Sequence, residues 1–291
     1  MVDINQLVIW STPLYTVLII FEIVLGHFHH QNTLYTVKDT MTNIYLTALN
    51  MICDVLLRGV AFGVLLIFAP FAFFELEHSF WYWLLLFLFE DFAFYWLHRV
   101  DHSVRLFWAV HVTHHSSEHF NLSTGFRSSV FQPVYRFFYF IPLVFLGFQP
   151  IDIYLMYAIT QIYGIIVHTQ AVNKLGILEH FLVTPSHHRV HHASNPIYLD
   201  KNLGMILIVW DKLFGTFQKE LAEEPVRYGL YEKEIKRDPV NIVFHEWKDI
   251  FRDWNKSESW KEKLKYLFNP PGWSHDGSTQ TAKQMRAKQK T

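Results

Sequence analysis

Five apolar runs dominate this chain, and runs long enough to cross a bilayer leave few folds open to it. A hydrocarbon core takes about 20 apolar residues per helix. Runs of that scale occupy residues 7–26, 55–74, 80–97, 130–148 and 150–167. A backbone in lipid must satisfy its own hydrogen bonds, so each run is expected to be a helix. The expected fold is all-α, a multi-span integral membrane helical protein. The first run lacks a basic residue before it and a small-residue cleavage pattern, so it reads as a retained span rather than a cleaved signal peptide. Hydrophobic residues make up 51% of the 291 and charged residues 18%, too apolar for an ordinary soluble domain. A formal net charge of −1 gives no reason to expect nucleic acid, and the single Cys53 excludes a disulfide framework or a cysteine metal site.

Lysine and arginine set the expected orientation. Segments 1–6, 75–79 and 148–152 contain none, whereas 27–43, 98–129 and the chain after 168 hold nearly all of them. Only Arg58 and Arg136 fall inside a run. The positive-inside rule then places the N-terminus outside and the long C-terminal part in the cytoplasm, of a bacterial inner membrane or an endoplasmic reticulum. The expected division is a transmembrane region over 1–79, a catalytic domain over 80–218, an amphipathic helical region over 219–273 and a disordered tail over 274–291. In the third part, Val243, Phe244, Trp247, Ile250, Phe251 and Trp254 recur at helical intervals. Such a helix would lie on the membrane surface or on the parent domain, and the second is the plainer expectation. "NPPGW" (269–273) reads as a turn.

Histidine is the unusual resource, with 18 in the chain. "HRVDH" places His98 and His102 at i, i+4. "HVTHH" places His111, His114 and His115 at i, i+3, i+4, and "HRVHH" repeats that spacing with His188, His191 and His192. On a helix each cluster projects its rings in one direction. His168 stands at the end of the last run. The five-span topology brings all nine to one membrane face, as a histidine-rich cap on the cytoplasmic side. Since one site takes three or four protein ligands, nine imidazoles suit two ions. Imidazole accepts zinc, copper, iron or nickel, so the residues alone leave the metal open. Asp91, Glu118, Asn121, Asp200, Asn202 and His187 are the polar candidates for orienting the ring nitrogens that face outward. No catalytic residue separate from the metal ligands is expected.

The pattern HX3H, HX2HH, a separate histidine, then HX2HH resembles the fatty acid hydroxylase / sterol desaturase superfamily. "FYWLHRVDH", "FWAVHVTHHSSEHFNLSTGFRSS", "HTQAVNKLG", "TPSHHRVHHASNP" and "LDKNLGMILIVWDKLFGTF" are similar to its alkylglycerol monooxygenase-like branch. The resemblance covers about residues 85 to 230. Ser103 stands where that branch usually has Glu, and Gly125 and Ser128 where it has Ala and Gln. The resemblance implies a non-haem di-iron oxygenase that uses O2 to hydroxylate a lipid C–H bond in an ether lipid, a fatty acyl chain or a sterol. The nine histidines named above would be its ligands, and tetrahydropterin or an external redox protein would donate electrons. A sterol desaturase-type reaction is the near alternative, and a histidine-rich metal transporter the alternative of a different class. Transporters hold their ion near the bilayer midplane, whereas these ligands fall at span ends.

Overall fold

A computed structural model describes residues 14–25, 34–233, 235–236 and 238–288. The described residues form helices and turns without a named strand, and a single isolated bridge joins Leu182 to Leu207. The all-α expectation holds. Part of the first expected span lies outside the described residues; within it, Leu14–Leu25 is helical (α1).

Helix α2 runs Val37–Phe68, capped at its start where the Thr36 hydroxyl accepts from Asp39 N. At about 1.5 Å per residue it is roughly 48 Å long, so the expected span 55–74 takes in only its second half and the turn that follows. A 3-10 turn at Ala69–Phe71 with Pro70 ends it. Helix α3, Phe80–Ser103, starts where the Ser79 hydroxyl accepts from Tyr82 N; it buries a wide face and leaves Trp81, Leu85 and Phe89 exposed on the other. Helix α2 leads away from the histidine-bearing end and α3 returns to it. These two helices are long and apolar enough to cross a membrane.

The expected span 130–148 is not one helix. It breaks into 3-10 turns at Gln132–Val134 and Arg136–Phe140 and a short helix α5, Ile141–Phe145. Pro133 and Pro142 each remove a backbone donor that a continuous helix needs. The segment still descends to the turn between α2 and α3, where Phe73 N donates to Phe145 O at 2.7 Å. Gly147 has φ +96° there, and a Cβ would sit 2.2 Å from Phe74 O, so only glycine fits. Helix α6, Pro150–Ile166, climbs back to the histidine end. Leu65, Tyr82, Leu86, Phe94, Phe140, Leu143, Ile153 and Tyr157 form the core that joins these elements.

Beyond the bundle lie α4 (Arg105–His115), α7 (Pro185–His191), α8 (Val209–Phe214), α9 (Pro239–Lys256) and α10 (Trp260–Phe268). The expected turn at 269–273 is present, with Gly272 at φ +80°. Where a disordered tail is expected from Ser274, the described residues continue through a turn into helix α11, Ala282–Lys288. There Arg286 donates to Leu199 O.

Candidate metal centre

Helical spacing aims each histidine cluster. His98 and His102 are one turn apart on α3, and His111, His114 and His115 share α4. His188 and His191 sit on α7, with His192 as its C-cap. His168 follows α6, its Nδ1 2.7 Å from Gly164 O. The structure brings all nine together in two groups, buried but for the half-buried His114. His98, His102, His111, His115 and His191 form one, and His114, His168, His188 and His192 the other; within each, one ring nitrogen per residue lies within 4.8 Å of the rest.

The ring protons are fixed from outside. His98 Nδ1 lies 2.8 Å from Leu203 O, His114 Nδ1 2.9 Å from Arg127 O, and His191 Nδ1 3.0 Å from Lys201 O. A carbonyl only accepts, so each Nδ1 carries the hydrogen and each Nε2 presents a bare lone pair inward. His168 Nε2 and His114 Nε2, both bare by this argument, are 3.3 Å apart. His168 Nε2 is also 2.9 Å from His188 Nε2, and His98 Nε2 is 3.0 Å from His111 Nε2. Nε2 of His102 and of His191 is buried with no hydrogen-bond partner. Such converging lone pairs repel unless a cation lies among them. Protonation does not relieve them. Burial, then the neighbouring rings, holds His111, His115, His188, His191 and His192 well below the ordinary imidazole range, and burial brings His114 down to about 4. Neutral, buried, inward-facing imidazoles fit a pair of transition-metal ions.

The supports differ from those expected. Asp91 holds the start of α8 and the segment before it. It accepts from Ile206 N, Leu207 N and Trp210 Nε1 at 2.9, 3.1 and 2.9 Å. Asp211 accepts from Leu203 N and Gly204 N at 2.7 and 2.8 Å. The two carboxylates thus clamp the loop whose Leu203 carbonyl fixes His98. Asp200, at φ +54°, has Oδ1 3.4 Å from His102 Nδ1. Asn202 donates to His187 O and Gln218 O, tying the same loop to α7. Asn121 caps the 3-10 turn Leu122–Phe126 and donates to Leu34 O. Glu118 is exposed and packs beside Gly229. His187 belongs to neither group: its Nδ1 accepts from Thr184 N at 3.3 Å, as half of a capping box that starts α7.

Asp101 escapes the sequence reading. It is fully buried, accepts from Tyr135 OH and Gln132 Nε2 at 2.7 and 3.0 Å, and lies 3.8 Å from His111 Nδ1. The signal was an acid inside "HRVDH", three residues after a ligand candidate. Ser129 Oγ, 3.0 Å from His111 Nδ1, had no signal.

Two cavities meet the rings from opposite sides. One of about 120 Å³ lies among the bundle helices, bounded by His98, His111, His114, His168 and His188 and by Phe94, Tyr157, Gln161, Ile165 and Met205. Gly125 and Ser128 line it. The other, of about 700 Å³, is bounded by His102, His115, His191 and His192, by Arg105, Trp108 and Asp200, and by residues of α9 and of the turn after α10.

The fatty acid hydroxylase family model matches residues 83–216. Human alkylglycerol monooxygenase is 35% identical over 266 residues, covering 90% of this chain and 59% of the relative. Ornithine lipid hydroxylase OlsE of Rhizobium tropici is 32% identical over 132 residues, 44% of this chain and 39% of the relative. Lathosterol oxidase of Mus musculus is 29% identical over 134 residues, 45% of this chain and 42% of the relative. The chain thus spans about three fifths of the length of the alkylglycerol monooxygenase it matches. No solved structure matches it.

Proposed function

The chain carries a fatty acid hydroxylase domain over residues 83–216, and from that premise we propose that it is a membrane-embedded, di-iron, O2-dependent lipid hydroxylase. The observation that supports this most is the pair of histidine groups whose bare Nε2 atoms converge at the meeting point of two cavities. Two iron ions held by the nine histidines would supply the redox chemistry that activates O2. The overall change is a lipid C–H bond, O2, two electrons and two protons going to a C–OH group and water.

The residues of the chain divide the remaining work. Helices α2 and α3 cross the bilayer with the histidines at the cytoplasmic face. The smaller cavity opens among those helices, so it receives the lipid, with Phe94, Tyr157, Ile165 and Met205 against the apolar portion. Gln161 Nε2 is buried there with no hydrogen-bond partner, so it donates to a polar group of the substrate near the reacting carbon. A substrate reaching the rings from the bilayer is therefore oxidised close to its polar end. The larger cavity faces the cytoplasm and gives the electron donor access to His102 and His191 without passing the lipid.

The substrate proposed is an ether lipid. Hydroxylating the carbon next to the ether oxygen gives a hemiacetal, which collapses to an aldehyde and glycerol. Detergent-purified protein loaded with iron should do this to an alkylglycerol when given O2 and tetrahydropterin. Turnover of a sterol in place of the alkylglycerol would overturn the substrate, and no O2 uptake with any lipid would overturn the class.

A further inference from the structure

We propose that the hairpin of α9 and α10 lies in the headgroup layer of the membrane as an in-plane anchor that prefers anionic lipid. This rests on the reading of α2 and α3 as membrane spans. Helix α9 carries two apolar stripes. One, with Ile242, Val243 and Ile250, is buried. The other, with Val240, Phe244 and Phe251 at 58%, 40% and 68% exposure, faces outward. Helix α10 adds Trp260, Leu264 and Phe268, one turn apart along one face and 70%, 48% and 55% exposed. Trp254 and Trp260 meet edge to face at 5.6 Å and join the two stripes. Facing water, so many large apolar side chains in one hairpin would be an aggregation liability; they mark a surface that something covers.

Lipid is the occupant the surroundings favour. Both ends of the hairpin are tied to the places where the spans leave the bilayer. At the α9 end, Ile242 and Val243 pack with Leu46 of α2 and with Val130. At the α10 end, Asn269 O accepts from Arg105 N, two residues after α3 ends. Phe244 touches Phe131 at 5.9 Å, and the exposed Val134 and Phe138 continue that apolar surface along the bundle. Charge agrees as well. Lys248, Lys256, Lys261 and Lys265 are exposed along the same two helices, and Lys263 lies over the Trp254 and Trp260 rings at 5.9 and 5.3 Å. Apolar stripes flanked by lysine and carrying tryptophan suit a helix lying at an anionic interface. The opposite edge of α9, with Glu246, Asp249 and Asp253, bounds the larger cavity, so the anchor would also hold that cavity's wall.

The test is site-specific quenching in nanodiscs of phosphatidylcholine and phosphatidylglycerol, on full-length protein with Cys53→Ser. Single fluorophores are placed through Phe251→Cys, Leu264→Cys, Leu56→Cys on the exposed face of α2, and Glu223→Cys in an exposed loop. Labels at 251 and 264 should be quenched several-fold more by lipid carrying a nitroxide near the headgroup than the label at 223, and be shielded from iodide. Replacing Lys261 and Lys265 with Glu should reduce that quenching in phosphatidylglycerol discs. If 251 and 264 behave like 223 while 56 is quenched by lipid, the anchor is wrong and the spanning reading stands. If 56 also escapes lipid quenching, the spanning reading falls too. Shielding from iodide without lipid quenching would show protein, such as a second copy of the chain, on this face and would overturn the proposal.

Discussion

The two histidine groups use one residue type and lie side by side, yet they are held by different parts of the molecule. The group of five is fastened largely by the loop at 200–204, through Lys201 O, Leu203 O and Asp200, and by Ser129. Three of its members reach the larger cavity. The group of four is fastened by the bundle itself, through Gly164 O at the end of α6 and Arg127 O, and three of its members border the small cavity among the helices. A ring's function in such a pair depends on what grips its outer nitrogen as much as on its own position. Damage to a remote carboxylate should therefore reach one group and spare the other.

Ligand removal should produce the largest effect and sharpen the contrast. His168→Ala leaves three rings in the group of four, whereas His102→Ala leaves four in the group of five. Both should lower lipid turnover by more than about 100-fold, since even outer partners of ligands are worth 10–100-fold. His168→Ala should lose close to one ion per chain and His102→Ala less, by elemental analysis. Equal metal loss from the two would break the distinction between the groups.

Acid comes next. Burial holds His114 at about 4, against an ordinary value near 6.5. Between those values the unfolded chain binds the proton and the folded chain does not, so stability is present above about 6.5 and lost as pH falls toward 4. His111, His115 and His191 of one group and His188 and His192 of the other share this direction. Metal-free protein should show a melting temperature that falls steadily from pH 7 to pH 5, and metal-loaded protein should release its metal over the same range. A flat profile would mean that the rings are not buried as neutral bases.

Asp101→Asn tests the group of five alone. It should weaken metal there by about 10–100-fold through His111 and leave the other ion in place. A smaller effect is expected from Asp91→Asn. It weakens the hold on Ile206 N, Leu207 N and Trp210 Nε1 and should cost about 1–3 kcal/mol of stability. Loss of metal from the group of four in either variant would contradict the separation of supports.

The histidine positions were legible because helical spacing is local: i, i+3 and i+4 fix a face without knowledge of the rest of the chain. The supports were less so. Asp91 finds its partners in a loop more than 100 residues on, and nothing in its neighbourhood points to Ile206 or Trp210 rather than to Arg99. Asp101 sat in plain view inside "HRVDH" but matters through Tyr135 and Gln132, which arrive from another segment. Pro133 and Pro142 foretold the break in 130–148, and averaging hydropathy over a window hides single prolines. The tail from Ser274 is polar enough to read as disordered, yet it gains contacts on Leu199 and against the cavity wall that composition does not reveal.

The supports and the two cavities serve one cage, nine rings around two ions. Elemental analysis of protein purified in detergent, with chain concentration from amino-acid analysis, tests that directly. The expected result is about two transition-metal ions per chain, iron in the active form; a value near one, or near zero, for all metals together would contradict the two-ion cage.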